Sequence, residues 1–418
     1  MNRKVKTALP KLRFRQFSSC PEWSICNLGK LIILVEERAG SRKYTLMSVT
    51  SGVGLIPQIE KFGREIAGSA YKNYYVIKRN DFAYNKSATK LFPEGYISML
   101  TEYEEAAVPN SIFTCFRIIN KDNNSKFFNH LFNNNYHGLW MRNYIEVGSR
   151  AHGSLSIKPQ HLLDMPIALP SREEQQKIAD CLTSFDDLII AENKKLAYLK
   201  LHKKGLMQKL FPAEGDVMPG WRFPKFEGSG NWVLRKFKDF AKVTTGNKDT
   251  QNKVDDGKYP FFVRSQSVEK IDTYTFDCEA ILTSGDGAGV GKNFHYIIGK
   301  FDFHQRVYCI YNFKDTVFGK FVYLYFSEHF QKRVMQLSAK NSVDSVRMSM
   351  ITEMPLYIPK QEEQQKIADC LSSLDDYIAM QSEKIEALRL HKKGLLQGLY
   401  PSIEEVSIST NRNVTLIF

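Results

Sequence analysis

Apolar residues recur at alternating steps of four and three in two separate stretches of the chain. The first stretch reads Ile178, Leu182, Phe185, Ile189, Leu196, Leu199, Leu206 and Leu210, with Glu192 and Lys203 at the two steps that lack an apolar side chain. The second reads Ile367, Leu371, Leu374, Ile378, Ile385, Leu388, Leu395 and Leu399, with Gln381 and Lys392 in the same places. A period of 3.5 residues is the seam of helices wound on a partner. Pro170 and Pro212 bracket the first run, and Pro359 and Pro401 the second, where proline starts or stops a helix. Each predicted helix therefore has about 40 residues and a length of roughly 60 Å. Gly205 and Gly394 are interior blemishes, costing about 1 kcal/mol each relative to alanine.

Elsewhere the pattern changes to short β-branched and aromatic runs separated by turn residues. Residues 74–77, 97–100 and 112–119 read as strands. The Asn-rich segment 123–135 reads as surface, or as a short helix with Phe127, Phe128 and Leu131 facing inward. Further on, 259–263, 280–283, 307–311 and 321–326 read as strands or buried helix. Each stretch predicts an α+β domain with a mostly antiparallel, irregular sheet.

The two helical runs are near copies. Residues 170–212 and 359–401 align without a gap, with about 26 of 43 positions identical. A fainter echo opens each unit: Pro10, Arg13, Phe14, Phe17 and Trp23 recur at the same spacing as Pro219, Arg222, Phe223, Phe226 and Trp232. One unit thus occurs twice, with variable stretches, about 24–165 and 233–354, that look little alike. The expected domains are 1–165 (first globular domain), 166–212 (first long helix), 213–354 (second globular domain), 355–401 (second long helix) and 402–418 (a C-terminal tail). Asp186 and Asp187 come early in the first helix and Lys203 and Lys204 late; Asp375, Asp376, Lys392 and Lys393 repeat this. Antiparallel pairing sets each Asp pair beside the opposite Lys pair, which orients the helices more than it stabilises them. The expected fold is α+β: two globular domains separated by a long antiparallel two-helix coiled coil, related by an internal pseudo-two-fold. Such a chain suits two half-sites on duplex DNA a fixed distance apart. A coiled-coil adaptor gripping proteins with two globular heads is the rival reading, and an RNA-binding module a third.

Charge favours the nucleic acid. The 418 residues contain 58 Lys and Arg against 45 Asp and Glu, a net charge of +13, which suits a polyanionic partner. The seven cysteines include no CxxC pair, which argues against a disulfide scaffold and against a zinc site. Cys181 and Cys370 fall at the same place in the repeat and read as small core residues. Met1–Pro10 has no long apolar run and no stretch is apolar enough to span a bilayer, so a soluble, cytoplasmic protein is expected. Gly285–Lys292 imitates a phosphate loop, but Asp286 stands where GxxxxGK[ST] needs its first glycine and Asn293 where it needs Ser or Thr; Val290 breaks GxGxxG. It reads as a turn between strands that brings backbone and Lys292 close to DNA phosphates. The other candidates for base or phosphate contact are Arg79, Asn85 and Lys86; Arg150, His152 and Ser154; Arg264, Ser265 and Gln266; His304, Gln305 and Arg306; and Lys340, Asn341 and Ser342. Arg suits guanine, and Asn or Gln suits adenine, because each makes two hydrogen bonds to a base edge. No catalytic constellation is present: no HExxH, no nucleophile elbow, no Walker motif and no Pro-Pro pair. The Glu pairs 173–174 and 362–363 open helices, where they complement the macrodipole.

The repeated run from Glu173 to Leu182 and from Glu362 to Leu371, the late Lys-Lys-Gly-Leu, and the closing Leu210-Phe211-Pro212 and Leu399-Tyr400-Pro401 resemble the two repeated helices of type I restriction-modification specificity subunits. Arg13, Phe14 and Trp23, and Arg222, Phe223 and Trp232, resemble the entry to each target recognition domain of that family, and residues 304–308 are similar to a pattern in some of those domains. The resemblance implies a non-catalytic subunit whose two domains each read half of a bipartite DNA site through the major groove, with the coiled coil setting the spacer. It implies two methyltransferase subunits using S-adenosylmethionine and two ATP- and Mg-dependent motor-nuclease subunits as partners, and no cofactor or metal on this chain. It carries over no individual base-contacting residue.

Overall fold

The four-and-three spacing folds into two helices of 39 residues each, Arg172–Leu210 and Gln361–Leu399. Every seam position named above is buried or half-buried, including the polar Glu192 and Gln381, while most flanking positions are exposed. The computed structural model describes residues 6–50, 52–67, 69–145, 155, 157–338 and 345–410. Its main elements, in chain order, are β1 (Trp23–Asn27), β2 (Ile32–Leu34), β3 (Met47–Thr50), β4 (Gly54–Pro57), β5 (Tyr75–Lys78), β6 (Phe82–Asn85), β7 (Tyr96–Met99), β8 (Glu105–Val108), β9 (Phe113–Ile118), α1 (Ser125–Asn133), β10 (Pro166–Leu169) and α2 (Arg172–Leu210). They continue with β11 (Val233–Lys236), β12 (Lys242–Thr245), β13 (Tyr259–Phe262), β14 (Val268–Ile271), β15 (Phe276–Ser284), β16 (Phe294–Phe303), β17 (Val307–Tyr311), α3 (Gly319–Leu337), β18 (Pro355–Ile358), α4 (Gln361–Leu399) and α5 (Ile403–Thr410).

The chain divides into two compact units, one of residues 1–193 with 383–418 and one of residues 194–382. Each unit holds part of both long helices, packed antiparallel, with the start of one helix beside the end of the other. In the first unit Lys392 pairs with Asp186, Lys384 Nζ lies 2.5 Å from Glu192 Oε1, and the rings of Phe185 and His391 meet at 5.1 Å. In the second unit Lys203 Nζ donates to Asp375 Oδ1 at 2.6 Å. The Asp-to-Lys matching anticipated from the repeat is therefore the pairing found.

Each core is assembled from the same four sources. The first combines Trp23, Ile167 of β10, Ile178 and Leu182 from the start of α2, and Leu399 and Tyr400 from the end of α4. The second combines Trp232, Leu356 of β18, Ile367 and Leu371 from the start of α4, and Leu210 and Phe211 from the end of α2. The indoles of Trp23 and Trp232 each meet a phenylalanine edge-on at 6.0 Å, Phe127 and Phe321 respectively. Helix α5, expected from sequence only as part of a tail, adds Ile403 and Val406 to the first core.

The repeated sequence marks form a repeated clasp. Arg13 donates from Nε and Nη2 to the two carboxylate oxygens of Glu174, both at 2.8 Å. Arg222 does the same to Glu363 at 2.8 and 2.6 Å. Glu174 and Glu363 are buried, so their role is this bidentate ion pair; Glu173 and Glu362 remain exposed in the first turn, where the macrodipole argument applies. The next residue is also used twice. Gln175 accepts from the Asn124 N–H and donates to Pro170 O; Gln364 accepts from the Phe318 N–H and donates to Pro359 O. These bonds tie the residue ahead of α1 or α3 to the first turn of the long helix.

The sheets are mostly antiparallel and irregular. In the second unit six strands run in the order β12-β17-β15-β16-β13-β14, with one parallel contact between β13 and β16. The sheet curls until the turn after β16 meets the turn after β15, where the Gly285 N–H donates to Arg306 O at 2.8 Å. The first unit repeats this path in broken form. Its four-stranded order is β2-β9-β6-β7, β5 pairs with β8, and β3 and β4 form a hairpin. Asn80, at φ 72°, interrupts the line from β5 to β6 that β15 runs without a break. Residues 321–326, open between strand and helix in the sequence, lie in helix α3, and Gly319–Leu337 supplies Phe321, Val322, Leu324 and Phe326 to the core.

Candidate nucleic-acid interface

In the second unit the loops after β13, β15 and β16 converge. The first ties are backbone bonds: the His304 N–H donates to Phe262 O at 2.9 Å, and Val346 N–H to Gly285 O at 2.7 Å. Close approach explains two glycines here. A Cβ on Gly246 would fall 2.0 Å from Phe303 O, and one on Gly285 would fall 2.8 Å from Arg306 O. Side chains complete the cluster. Asn293 Nδ2 donates to Arg264 O at 3.1 Å, and a ring nitrogen of His295 lies 3.0 Å from Ser265 O. Asp286 sits between Arg264 Nη1 at 2.9 Å and Arg306 Nη1 at 3.2 Å.

His304 is buried, and its Nδ1 accepts from the Arg306 N–H at 2.9 Å. The neutral ring therefore carries its proton on Nε2, which faces Asp249 Oδ1 at 3.8 Å. Burial, then the cation of Arg264, lowers the His304 pKa. Gln305 Nε2 donates to the other oxygen of Asp249 at 3.1 Å. Seven sequence candidates thus gather in one place: Arg264, Ser265, Gln266, Lys292, His304, Gln305 and Arg306. Of these, Arg264, Gln266, Lys292, Gln305 and Arg306 are exposed. The glycine run is a turn between antiparallel strands, as expected, with no helix following it to complete a phosphate loop.

The first unit separates its candidates. Phe113 pairs with Asn85 as Val307 pairs with Ser284, so loops 86–95 and 109–112 take the places of 285–293 and 304–306. Together with the β3–β4 hairpin they line a cleft of about 860 Å³. Asn85 lines this cleft. Lys86 is half-buried, its N–H bonded to Ile112 O, and burial lowers its ammonium pKa. Arg79 lies at the opposite end of β6 and pairs with Glu104 at 2.8 Å, so the structure does not bring it to Asn85 and Lys86. The cleft includes Lys61, Lys90, Asn110 and Ser111, which sequence reading missed. Lys61 donates to Val49 O at 2.7 Å, and burial lowers its pKa. The signal that would have found them is the matching of strand order between units. Arg150, His152, Ser154, Lys340, Asn341 and Ser342 lie outside the described residues. Among the described residues no group of three or more His, Cys, Asp or Glu could hold a metal, and no helix is long and apolar enough to cross a membrane.

Comparison with known proteins follows the same lines. The chain is similar in fold to the S subunit of a type I restriction-modification system from M. genitalium, with a TM-score of 0.61 at 13% identity over 94% of this chain and 99% of that one. A chain from a study of complex assembly and conformational transition of the type I R-M system gives a TM-score of 0.57 at 14% identity, covering 91% and 97%. The EcoDI specificity subunit of Escherichia coli is 27% identical over 159 residues, covering 38% of this chain and 34% of that protein. The MjaVIII specificity subunit of Methanocaldococcus jannaschii is 27% identical over 263 residues, covering 56% and 61%. The chain therefore spans between about a third and three-fifths of the length of these two relatives. The type I restriction modification DNA specificity domain matches twice, at residues 58–201 and 229–390, each match running from a variable domain into its long helix, and this chain belongs to that family.

Proposed function

We propose that this chain is the DNA-reading, non-catalytic specificity subunit of a type I restriction-modification complex, and that it recognises a bipartite site. Each unit takes one half-site, the second through its converged loops and the first through the cleft beside Asn85. The observation that carries this reading is a shared frame with unlike loops. Both units use the same arginine–glutamate clasp, the same glutamine bridge and the same helix pair, while the residues at the equivalent loops differ. A frame kept constant around different polar surfaces suits one scaffold reading two sequences. In this reading the helices also hold two methyltransferase subunits, which bind S-adenosylmethionine, and two motor-nuclease subunits, which use ATP and Mg. The complex works in the cytoplasm.

The test is binding of the full chain, purified with its methyltransferase subunit, to a library of random duplexes. Enrichment of two short sequences at a fixed separation is the expected result. Binding with no sequence preference, or preference for RNA, overturns the reading; retention of protein partners without any duplex binding would favour the adaptor instead. Mapping methylated adenines in a host genome gives the same answer independently, with one modified adenine expected in each half.

A further inference from the structure

We propose that Arg264 and Arg306 form a guanine-reading pair set in place by the carboxylate of Asp286, so that the half-site taken by the second unit contains guanine. This rests on the reading of the chain as a DNA reader and adds the identity of a base to it. The three side chains come from three loops that the curled sheet brings together. Arg264 Nη1 donates to Asp286 Oδ1 at 2.9 Å and Arg306 Nη1 to Oδ2 at 3.2 Å, so one carboxylate orders both guanidinium groups. The arginine side chains are 47% and 63% exposed, while Asp286 is only 18% exposed. The anchor is therefore set back and the two forks point outward.

Among the described residues no other hydrogen bond engages either guanidinium. A guanidinium carries five N–H donors in a planar fork, so each keeps a pair of donors after serving Asp286. Guanine presents two acceptors, O6 and N7, at the spacing of that fork. Adenine presents a donor at N6, where an arginine needs an acceptor, and is rejected. Phosphate is the competing ligand for any exposed arginine, and Asp286 argues against it. A phosphate brought to these two forks would face a carboxylate one side chain away, whereas the neutral edge of guanine meets no such repulsion. Fixing both rotamers in the free protein also removes ordering that binding would otherwise have to supply. Asp286 is itself held by its backbone bridge to Ser345 and by the Gly285–Arg306 bond beside it.

The experiment repeats the random-duplex selection with the full chain and its methyltransferase subunit, using the wild type, R264A, R306A, R264K, R306K and D286N. The expected wild-type profile has guanine, on either strand, in one half-site. Each arginine variant should flatten the preference at a guanine position by roughly 5- to 150-fold, leaving the other half-site unchanged. The lysine variants keep the charge and lose the fork, so they should flatten it as well; D286N should relax the same position less. Thermal midpoints within a few degrees of wild type establish that the variants fold, and the lysine forms serve where an alanine form does not. Wild-type half-sites without guanine overturn the proposal. So do arginine variants that weaken all duplexes equally while selection persists, since that marks phosphate contact. A wild type with no selection at all instead overturns the DNA-reading function.

Discussion

Arg222 illustrates what a single side chain holds in this fold. Its guanidinium is almost fully buried against Glu363, and it also donates from Nη1 to Gly230 O at 2.9 Å, so it links the entry segment to the first turn of α4. Removing it strands a carboxylate that is 1% exposed. Breaking one partner of a buried pair costs about 3–5 kcal/mol, because the other charge is left without compensation. Arg222→Ala should therefore destabilise by that amount, read as a lower urea midpoint followed by the fluorescence of the buried Trp232. Replacing both partners with apolar side chains, Arg222→Met together with Glu363→Leu, should recover most of the loss. Arg222 is visible in the sequence as a repeated mark, yet its partner is not. Glu363 lies 141 positions away, and its place in the first turn of a helix offers a sufficient local explanation in the macrodipole. Only the packed core shows which of two adjacent glutamates turns inward.

At the scale of elements, legibility follows the length of the periodic signal. Ten seam positions in each helix leave no alternative register, and the charge order fixes their antiparallel sense; the Lys203–Asp375 contact of 2.6 Å is the outcome. The lysine is 25% exposed and the aspartate 42%, so the pair contributes about 0.5 kcal/mol or less after screening by solvent and salt. A double-mutant cycle of Lys203→Glu and Asp375→Lys should accordingly show each single reversal to be destabilising and the double reversal to regain part of the loss. No coupling in thermal midpoints at low salt would mean that the apolar seam alone sets direction. The sheets are less legible. Four-residue strands give only two inward positions each, and their order depends on pairings between distant strands. Arg79 reads as close to Asn85 because six residues are few in sequence. A strand lies between them, and in an extended chain six residues span roughly 20 Å. Conversely, Arg264, Asp286 and Arg306 read as unrelated, and the curl of one sheet brings them onto a single carboxylate.

For the molecule as a whole, the two cores draw on both ends of both helices, while the middle stretches around Asn193 and Glu383, where the two units divide, belong to neither core. That makes the middle a place where length can change without disturbing a domain. Seven residues inserted there in both helices restore the seam after two turns, since the heptad is its repeat, and add about 10 Å of helix. On duplex DNA about 10 Å is roughly three base pairs at 3.4 Å each. Three base pairs also rotate one half-site against the other by about 100°, given 10–10.5 base pairs per turn, and a twist of that size opposes the full extension. The expected change is thus a preferred spacer longer by one to three base pairs, with both half-site sequences kept, measured by mapping methylated adenines or by the duplex selection. Insertion in one helix alone should instead break the seam and lower the thermal midpoint without defining a new spacer. An altered half-site with an unaltered spacer would show that the helices shape the reading surfaces themselves, and the division of labour between frame and loops would then be wrong.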